Sequence, residues 1–335
     1  MSSSISIIIP CLNEERYLQH CLDSILKSDI DLTQSEIILV DGGSEDKTVE
    51  IIQAYQEQYD AIKLLHNPKK FTPISMNMGI EASVGEYIFI ISAHAKYENG
   101  YFSKLLKEIQ RLNANCVGGI LKTDVRKHTK KSNAIIKVLS HKFGVGNADF
   151  RIGGDEIKAV DTVAFGCYTK ATFEEFGLYD KKLIRNQDIE LNKRIINGGG
   201  KIYLIPDVYA TYYARENFMD LAKNNFANGK WNILTAYYTK TLSSLSLRHF
   251  IPLFFVLSLL LPLPLALINI NFLWIAFLSL SSYLALVIIL SLKLRDKETP
   301  FIYLVASFLT LHLAYGLGSL VGIFWVVKRI IKGKK

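Results

Sequence analysis

Two stretches free of Asp, Glu, Lys and Arg constrain this chain more than anything else in it. His249 to Leu292 contains none of the four, and neither does Thr299 to Val327. A membrane-spanning helix needs about 20 apolar residues, so the second run is long enough for one span and the first for two. The chain is therefore expected to be a membrane protein with an N-terminal part in water. The spans fall at about 250–268, 272–292 and 301–327. Pro262 and Pro264 should kink the first, and Asn269-Ile270-Asn271 reads as the turn into the second.

Charge follows the same division. From Lys293 onward there are eight Lys or Arg against Asp296 and Glu298, a net +6 of the whole-chain +8. The basic balance thus belongs to membrane flanks, and no nucleic-acid partner is expected. A hairpin of the first two spans puts Arg248 and Lys293 to Lys297 on one side, as the positive-inside rule asks. A third crossing would export the basic tail Lys328 to Lys335, so a re-entrant segment broken around Gly316 and Gly318 is favoured over a full span. His312 lies in that run, where a neutral imidazole bonded to a neighbouring helix is favoured over a functional role. The opening MSSSISIIIPCLNEE lacks a basic leader region, and acids follow its short apolar run at once, so it reads as a strand and not a signal peptide. The expected location is the inner (plasma) membrane with the N-terminal part in the cytoplasm and membrane lipid as a partner. Cys11, Cys21, Cys116 and Cys167 show no zinc-type spacing and are expected to be buried thiols.

In the N-terminal part, Ser4 to Pro10, Ile37 to Val40, Ile62 to Leu65 and Glu86 to Ile91 read as strands, with helices between them. Strand and helix alternating in this way is the signature of a parallel α/β sheet. Three strand ends carry polar residues to one sheet edge, where such sheets bind ligands: Asn13 and Glu14, Asp41-Gly42-Gly43-Ser44, and Ser92-Ala93-His94. Glu14 and Asp41 suit ribose hydroxyls or a base N–H, and Lys69 and Lys70 suit phosphates, so a nucleotide pocket is the better account. Further along, a helix is expected from Thr72 to Ser83, another from Tyr101 to Leu112, and a strand through Val117 to Leu121. Lys122 to Lys131 holds five cations and one acid. It reads as a solvated loop, with a diphosphate-binding flap as the alternative. Val160 to Tyr168 reads as a strand, Lys201 to Ile205 as one ending at Pro206, and Asp220 to Ala227 as a helix leading to Asn228-Gly229-Lys230-Trp231. Asp188 and Glu190 stand in the first turn of a helix from about Arg185 to Ile196, where capping the helix dipole competes with chemistry.

Taken together, PCLNE (Pro10 to Glu14), VDGGSEDKT (Val40 to Thr48), NPKK (Asn67 to Lys70), MNMGIEASVGEYI (Met76 to Ile88), SAHAKY (Ser92 to Tyr97), VDTVAFGCY (Val160 to Tyr168), RNQDIELNKRI (Arg185 to Ile195) and NFANGKW (Asn225 to Trp231) resemble the inverting family 2 glycosyltransferases. Within these, the chain looks like the membrane-attached enzymes of succinoglycan-type exopolysaccharide and capsule assembly. The resemblance implies an α/β GT-A fold (residues 1–231), an interfacial linker (232–249) and a membrane region (250–335). It implies that Pro10, Asn13, Glu14, Asp41, Gly43, Ser44, Lys69, Lys70, Asn77, Ser92 and Ala93 bind the nucleotide sugar, expected to be UDP-linked. Asp188 matches the family's catalytic base, and Gln187, Glu190, Lys230 and Trp231 fall on the acceptor side, with Glu190 orienting either the acceptor or Arg194. Trp231 has an equal claim as a membrane-interface anchor.

The chain departs from the family at Ser92-Ala93-His94, where most of the superfamily carries an Asp-x-Asp pair. His94 is left as the ligand for a Mn2+ or Mg2+ cofactor, because Ser92 is a weak substitute for a carboxylate. A metal-free site relying on Lys70 or the basic loop stays open. The expected activity is transfer of one sugar to a polyprenyl-diphosphate-linked glycan in exopolysaccharide or capsule biosynthesis. The alternatives are transfer to polyprenyl monophosphate, or a catalytically inactive nucleotide-binding subunit.

Overall fold

The computed structural model describes residues 4–146, 148–241 and 245–333. Leu242 to Ser244 of the expected linker, and Lys334 and Lys335 of the basic tail, lie outside the described residues. In chain order the elements are β1 (Ile5–Cys11), α1 (Leu18–Leu26), β2 (Ser35–Asp41), α2 (Thr48–Gln56), β3 (Ile62–His66), α3 (Thr72–Ala82), β4 (Tyr87–Ile90), β5 (Ala95–Tyr97), α4 (Tyr101–Leu112) and β6 (Cys116–Asp124). There follow α5 (Lys130–Leu139), α6 (Lys142–Val145), α7 (Asp149–Ile152), β7 (Lys158–Ala159), β8 (Cys167–Thr169), α8 (Lys170–Phe176), α9 (Gln187–Asn197) and β9 (Ile202–Tyr213). The C-terminal helices are α10 (Phe218–Thr239), α11 (Ile251–Leu260), α12 (Pro262–Leu265), α13 (Leu273–Leu294) and α14 (Phe301–Ile331). The chain divides into two compact units, residues 1–122 with 148–213, and residues 123–147 with 214–335.

The first unit is built on one nine-stranded sheet of order β3-β2-β1-β4-β8-β6-β9-β5, with β7 paired to β9. β1 runs parallel to β2, in register from Ile5 against Ser35 to Cys11 against Asp41, and parallel to β4. Its isoleucines Ile7, Ile8 and Ile9 are fully buried, as are Ile37 to Val40 of β2. Continuous aliphatic burial of this kind, mostly by β-branched side chains, marks strands covered on both faces. Register then carries Cys11 and Asp41 together to one edge, and the direction changes where β8 pairs antiparallel with β4. The four cysteines are buried thiols. Burial pushes the pKa of each upward and keeps them protonated.

Two expected strands take a different form. Of Val160 to Tyr168 only the last two residues enter β8. Phe165 adopts a left-handed backbone, and Gly166 lies where a β-carbon would press on Cys116 Sγ, so the stretch is a tight loop. The strand expected to stop at Pro206 continues to Tyr213. Pro206 falls between the residues paired to β7 and those paired to β5, where these two ladders ask nothing of its missing N–H.

In the second unit α10 runs past the end expected at Ala227 to Thr239, so the boundary expected after Trp231 falls inside a helix. Asn217 starts α10 by accepting from the Asp220 amide at 2.9 Å. Lys122 to Lys131 also differs from a solvated loop. Strand β6 continues to Asp124, and Thr129 caps α5 through reciprocal bonds with Ser132. Three segments are long and apolar enough to cross a membrane: Leu247–Leu265, Ile270–Leu294 and Phe301–Ile331. The last is one uninterrupted helix, and the break expected at Gly316 and Gly318 does not occur. His312 is buried within this unit. Its Nε2 donates to the Phe143 carbonyl at 2.9 Å, and Nδ1 pairs with the Tyr283 hydroxyl at 3.0 Å, which suits the neutral, structurally bonded imidazole.

Candidate active site

The ends of β1 and β2 are locked to one another. The Asp41 carboxylate accepts from the Gly43 amide at 2.8 Å and the Ser44 hydroxyl at 2.6 Å. Ser44 Oγ in turn accepts the Asn13 amide at 2.9 Å, and Asn13 Oδ1 accepts the Glu45 amide at 2.8 Å. Gly43 has φ near +82°, which a side chain would strain, so a glycine there lets the backbone fold back over Asp41. Asp41, Gly43, Ser44 and Asn13 thus form a rigid loop pair. His66 Nδ1 stands 3.6 Å from Asp41.

Beside this edge lies a cleft of about 280 Å³. It gathers Pro10, Glu14, Lys70, Ser92, His94, Gln187 and Asp188 from segments far apart in the chain, with Phe165 and Tyr179 on its wall. Lys70 holds a left-handed backbone, and its ammonium is 3.8 Å from Glu45. Glu14 Oε1 and His94 Nδ1 are 3.1 Å apart and part-buried. The Ser92 amide is held by the Tyr97 hydroxyl at 2.9 Å.

A divalent ion is the cofactor that the family pattern implies. Among the described residues no group of three His, Cys, Asp or Glu comes together to hold one. Glu14 and His94 supply two donors that are spent on each other, which falls short of a cation cage on the protein side.

Asp188 opens α9 and is pushed above the ordinary carboxylate range by burial. The Ile189 amide, donating to Oδ1 at 2.9 Å, and the charge of Arg151 pull the other way without cancelling it. Arg151 was not legible as a site residue. Its guanidinium lies 5.1 Å from the Tyr212 ring, and its Nη1 is buried with no hydrogen-bond partner among the described residues. Gln187 Oε1 is in the same state. Two unpaired polar atoms in the neighbourhood of a raised carboxylate are costly unless a ligand meets them.

Other expected residues carry different duties. Asn77 is buried and spends its amide on the Tyr179 backbone, donating to the carbonyl at 2.8 Å and accepting from the N–H at 3.0 Å. It is a bracket for a wall residue and does not line the cleft. Ala93 is packed in the core. Glu190 gives both oxygens to Arg194, at 2.9 and 2.8 Å, and Arg194 also donates to the Phe176 and Leu178 carbonyls. Of the two roles expected for Glu190, holding Arg194 is the one the contacts show. Lys69 does not line the cleft, although its neighbour does. Lys230 and Trp231 belong to α10 in the second unit, where Trp231 stacks on Tyr238 with ring centroids 6.4 Å apart.

Residues 6–159 match the family model described as Glycosyl transferase family 2. Over 234 residues the chain is 31% identical to the dolichyl N-acetyl-alpha-D-glucosaminyl phosphate 3-beta-D-2,3-diacetamido-2,3-dideoxy-beta-D-glucuronosyltransferase of Methanococcus voltae, which covers 67% of this chain and 71% of that protein. This chain belongs to glycosyltransferase family 2. It is also 27% identical over 235 residues to the succinoglycan biosynthesis protein ExoA of Rhizobium meliloti (strain 1021), covering 68% of this chain and 69% of that one. Among solved structures, the mannosyltransferase PcManGT from Pyrobaculum calidifontis, in complex with GDP-Man and Mn2+, superposes with a TM-score of 0.62 at 15% identity. That match covers 97% of this glycosyltransferase and 88% of its neighbour. S. aureus TarS 1-349 in complex with UDP-GlcNAc gives 0.52 at 15%, over 99% and 92%. These likenesses show the GT-A fold expected from the motif order.

Proposed function

We propose that this family 2 glycosyltransferase moves one sugar, with inversion, from a UDP-sugar to a polyprenyl-diphosphate-linked glycan at the cytoplasmic face of the plasma membrane. The observation that carries the proposal is Asp188, a carboxylate with a raised pKa lining the same cleft as Glu14, Lys70 and His94. A base poised nearer neutral pH is what single displacement at an anomeric carbon requires. The acceptor hydroxyl gives its proton to Asp188 as its oxygen bonds to the anomeric carbon. The bond from that carbon to the diphosphate breaks, and its electron pair leaves on the diphosphate oxygen. Gln187 Oε1 is an open acceptor for the sugar hydroxyl. Glu14 and the Asp41 loop hold the nucleoside, and Lys70, with the unpaired Arg151 N–H, meets the diphosphate charge. The two relatives, one a transferase on a dolichyl-linked sugar and one a succinoglycan biosynthesis protein, favour a lipid-linked acceptor in exopolysaccharide or capsule assembly.

The test is calorimetric titration with UDP, in EDTA and in Mn2+, followed by transfer of labelled sugar into a lipid extract. Binding in EDTA that weakens in Lys70→Ala supports a site carried by protein cations. Binding only with Mn2+, lost in His94→Ala, would instead make His94 a metal ligand. Failure to bind any nucleoside diphosphate would refute the nucleotide pocket. A product consisting of one sugar on polyprenyl monophosphate would replace the proposed acceptor.

A further inference from the structure

The three apolar helices of the second unit do not have the same surroundings. Only 17% of the most apolar window of Leu247–Leu265 and 11% of that of Ile270–Leu294 are buried within the chain, as suits helices bathed in lipid. For Phe301–Ile331 the share is 44%. The partner that covers it most is α10, and the two helices run side by side in the same direction. Phe218 near the start of α10 meets Tyr303 near the start of α14, and Tyr238 near its end meets the Arg329 guanidinium at 2.9 Å.

Between those ends the backbones touch through glycines. A β-carbon on Gly229 would collide with the Tyr315 carbonyl, one on Gly318 with the Phe226 carbonyl, and one on Gly322 with the Lys230 carbonyl. Yet α10 cannot cross a bilayer. Over its 22 residues it carries Asp220, Lys223 and Lys230 together with four asparagines, each expensive in hydrocarbon. A helix zipped along its length to α10 shares its depth. Halfway along, α14 crosses the hairpin between its two helices, with Gly316 against Pro252 and Val256 of α11 and His312 bonded to Tyr283 of α13, which leaves its pairing with α10 to set its level.

The face of α14 opposite α10 is nonetheless apolar. Ile302 near its start and Leu317, Val321, Phe324 and Ile331 in its C-terminal half stand exposed on one side of the helix, the last four over roughly 20 Å, with Lys328 within that stripe. We infer that α14 does not span the membrane but lies in the plane of its cytoplasmic interface, paired with α10, its apolar stripe in lipid and Lys328, Arg329 and Lys332 among anionic headgroups. The protein then has a two-span hairpin as its anchor, and the basic tail stays on the side of Lys293 to Lys297. This rests on membrane attachment through α11 to α13 and is independent of the sugar chemistry.

Single cysteines at Lys297 and Lys332 flank α14, and the four native cysteines are buried. In sealed vesicles of known orientation, an impermeant maleimide should label Lys297→Cys and Lys332→Cys from the same side. Labelling from opposite sides, or of Lys332→Cys only after detergent, overturns the inference. A fluorophore on Leu317→Cys, in the full chain in nanodiscs at one copy each, separates lipid from protein cover. Stronger quenching by lipids brominated near the headgroup than at the chain end is expected. Stronger quenching from the chain end would put the helix midpoint at the bilayer centre, and none from either would mean that the stripe is not in lipid. Either result refutes the in-plane placement.

Discussion

Asp188→Asn removes a base while keeping nearly everything else. The Ile189 amide donates to Oδ1 at 2.9 Å, and an asparagine oxygen accepts that bond equally well, so α9 should start as before. General-base catalysis contributes about 10²–10⁴-fold, equivalent to about 3–5 kcal/mol of barrier. Turnover of labelled donor into lipid-linked product should fall by that factor at saturating substrate, while UDP affinity measured by titration stays within about threefold.

The same substitution should also stabilise the fold. Burial raises the pKa of Asp188 in the folded chain, so the folded state holds its proton to higher pH than the unfolded state does. Above the unfolded value, near 3.9, ionising this group therefore costs stability, by about 1.4 kcal/mol for each unit of the rise. Asparagine escapes that cost, and its melting temperature in detergent at pH 7.5 should exceed that of the parent. The parent's kcat/KM should fall on the acid side with a midpoint above the usual aspartate range. A variant that turns over within tenfold of the parent, or one that melts lower with its activity lost, would refute the assignment of Asp188 as a strained, buried base.

Arg151→Met should move the acid limb to higher pH, because the Arg151 charge holds the Asp188 pKa down; a limb that stays put would uncouple the two. Asn77→Ala should cost about 2–4 kcal/mol through the unpaired Tyr179 backbone groups, seen as a lower melting temperature, with UDP affinity unchanged where the variant is folded. A selective loss of UDP binding would return Asn77 to the nucleotide site. Gly318→Val should drive the α10 and α14 backbones apart at a cost of about 1–3 kcal/mol, read by thermal unfolding in detergent; an unaffected melt would contradict the close approach at Phe226.

The parallel half of the sheet was readable because its strands bury both faces and announce themselves as unbroken aliphatic runs, as in Ile7 to Ile9 and Ile37 to Val40. Its ligand edge followed, since polar residues directly after such runs have one place to go. Arg151 could not be read in this way. It sits on a four-residue helix with no periodicity, and a fold brings it to Asp188 from 37 positions away. Asn77 misled for a related reason: a buried asparagine answering one backbone peptide looks in sequence like an asparagine answering a ligand. Gly316 and Gly318 read in sequence as a break because local propensity disfavours glycine in helices, whereas close backbone packing supplies the reason for them, as it does for Gly229.

The route of the chain through the second unit has a bearing on how it is made. Helices α5 and α6 are translated between β6 and β8, but Ala134 and Val138 find their core partners in Val287, Leu304, Phe308 and Leu311, and Lys137 reaches its Asp296 partner 159 residues later. At about 5–20 residues per second, a ribosome takes roughly 8–30 s to deliver that partner. During this interval, which outlasts the synthesis of the sheet's last strand at Tyr213, the apolar side of α5 has none of those partners and is open to chaperones or to the bilayer surface, so membrane targeting of the nascent chain competes with aggregation.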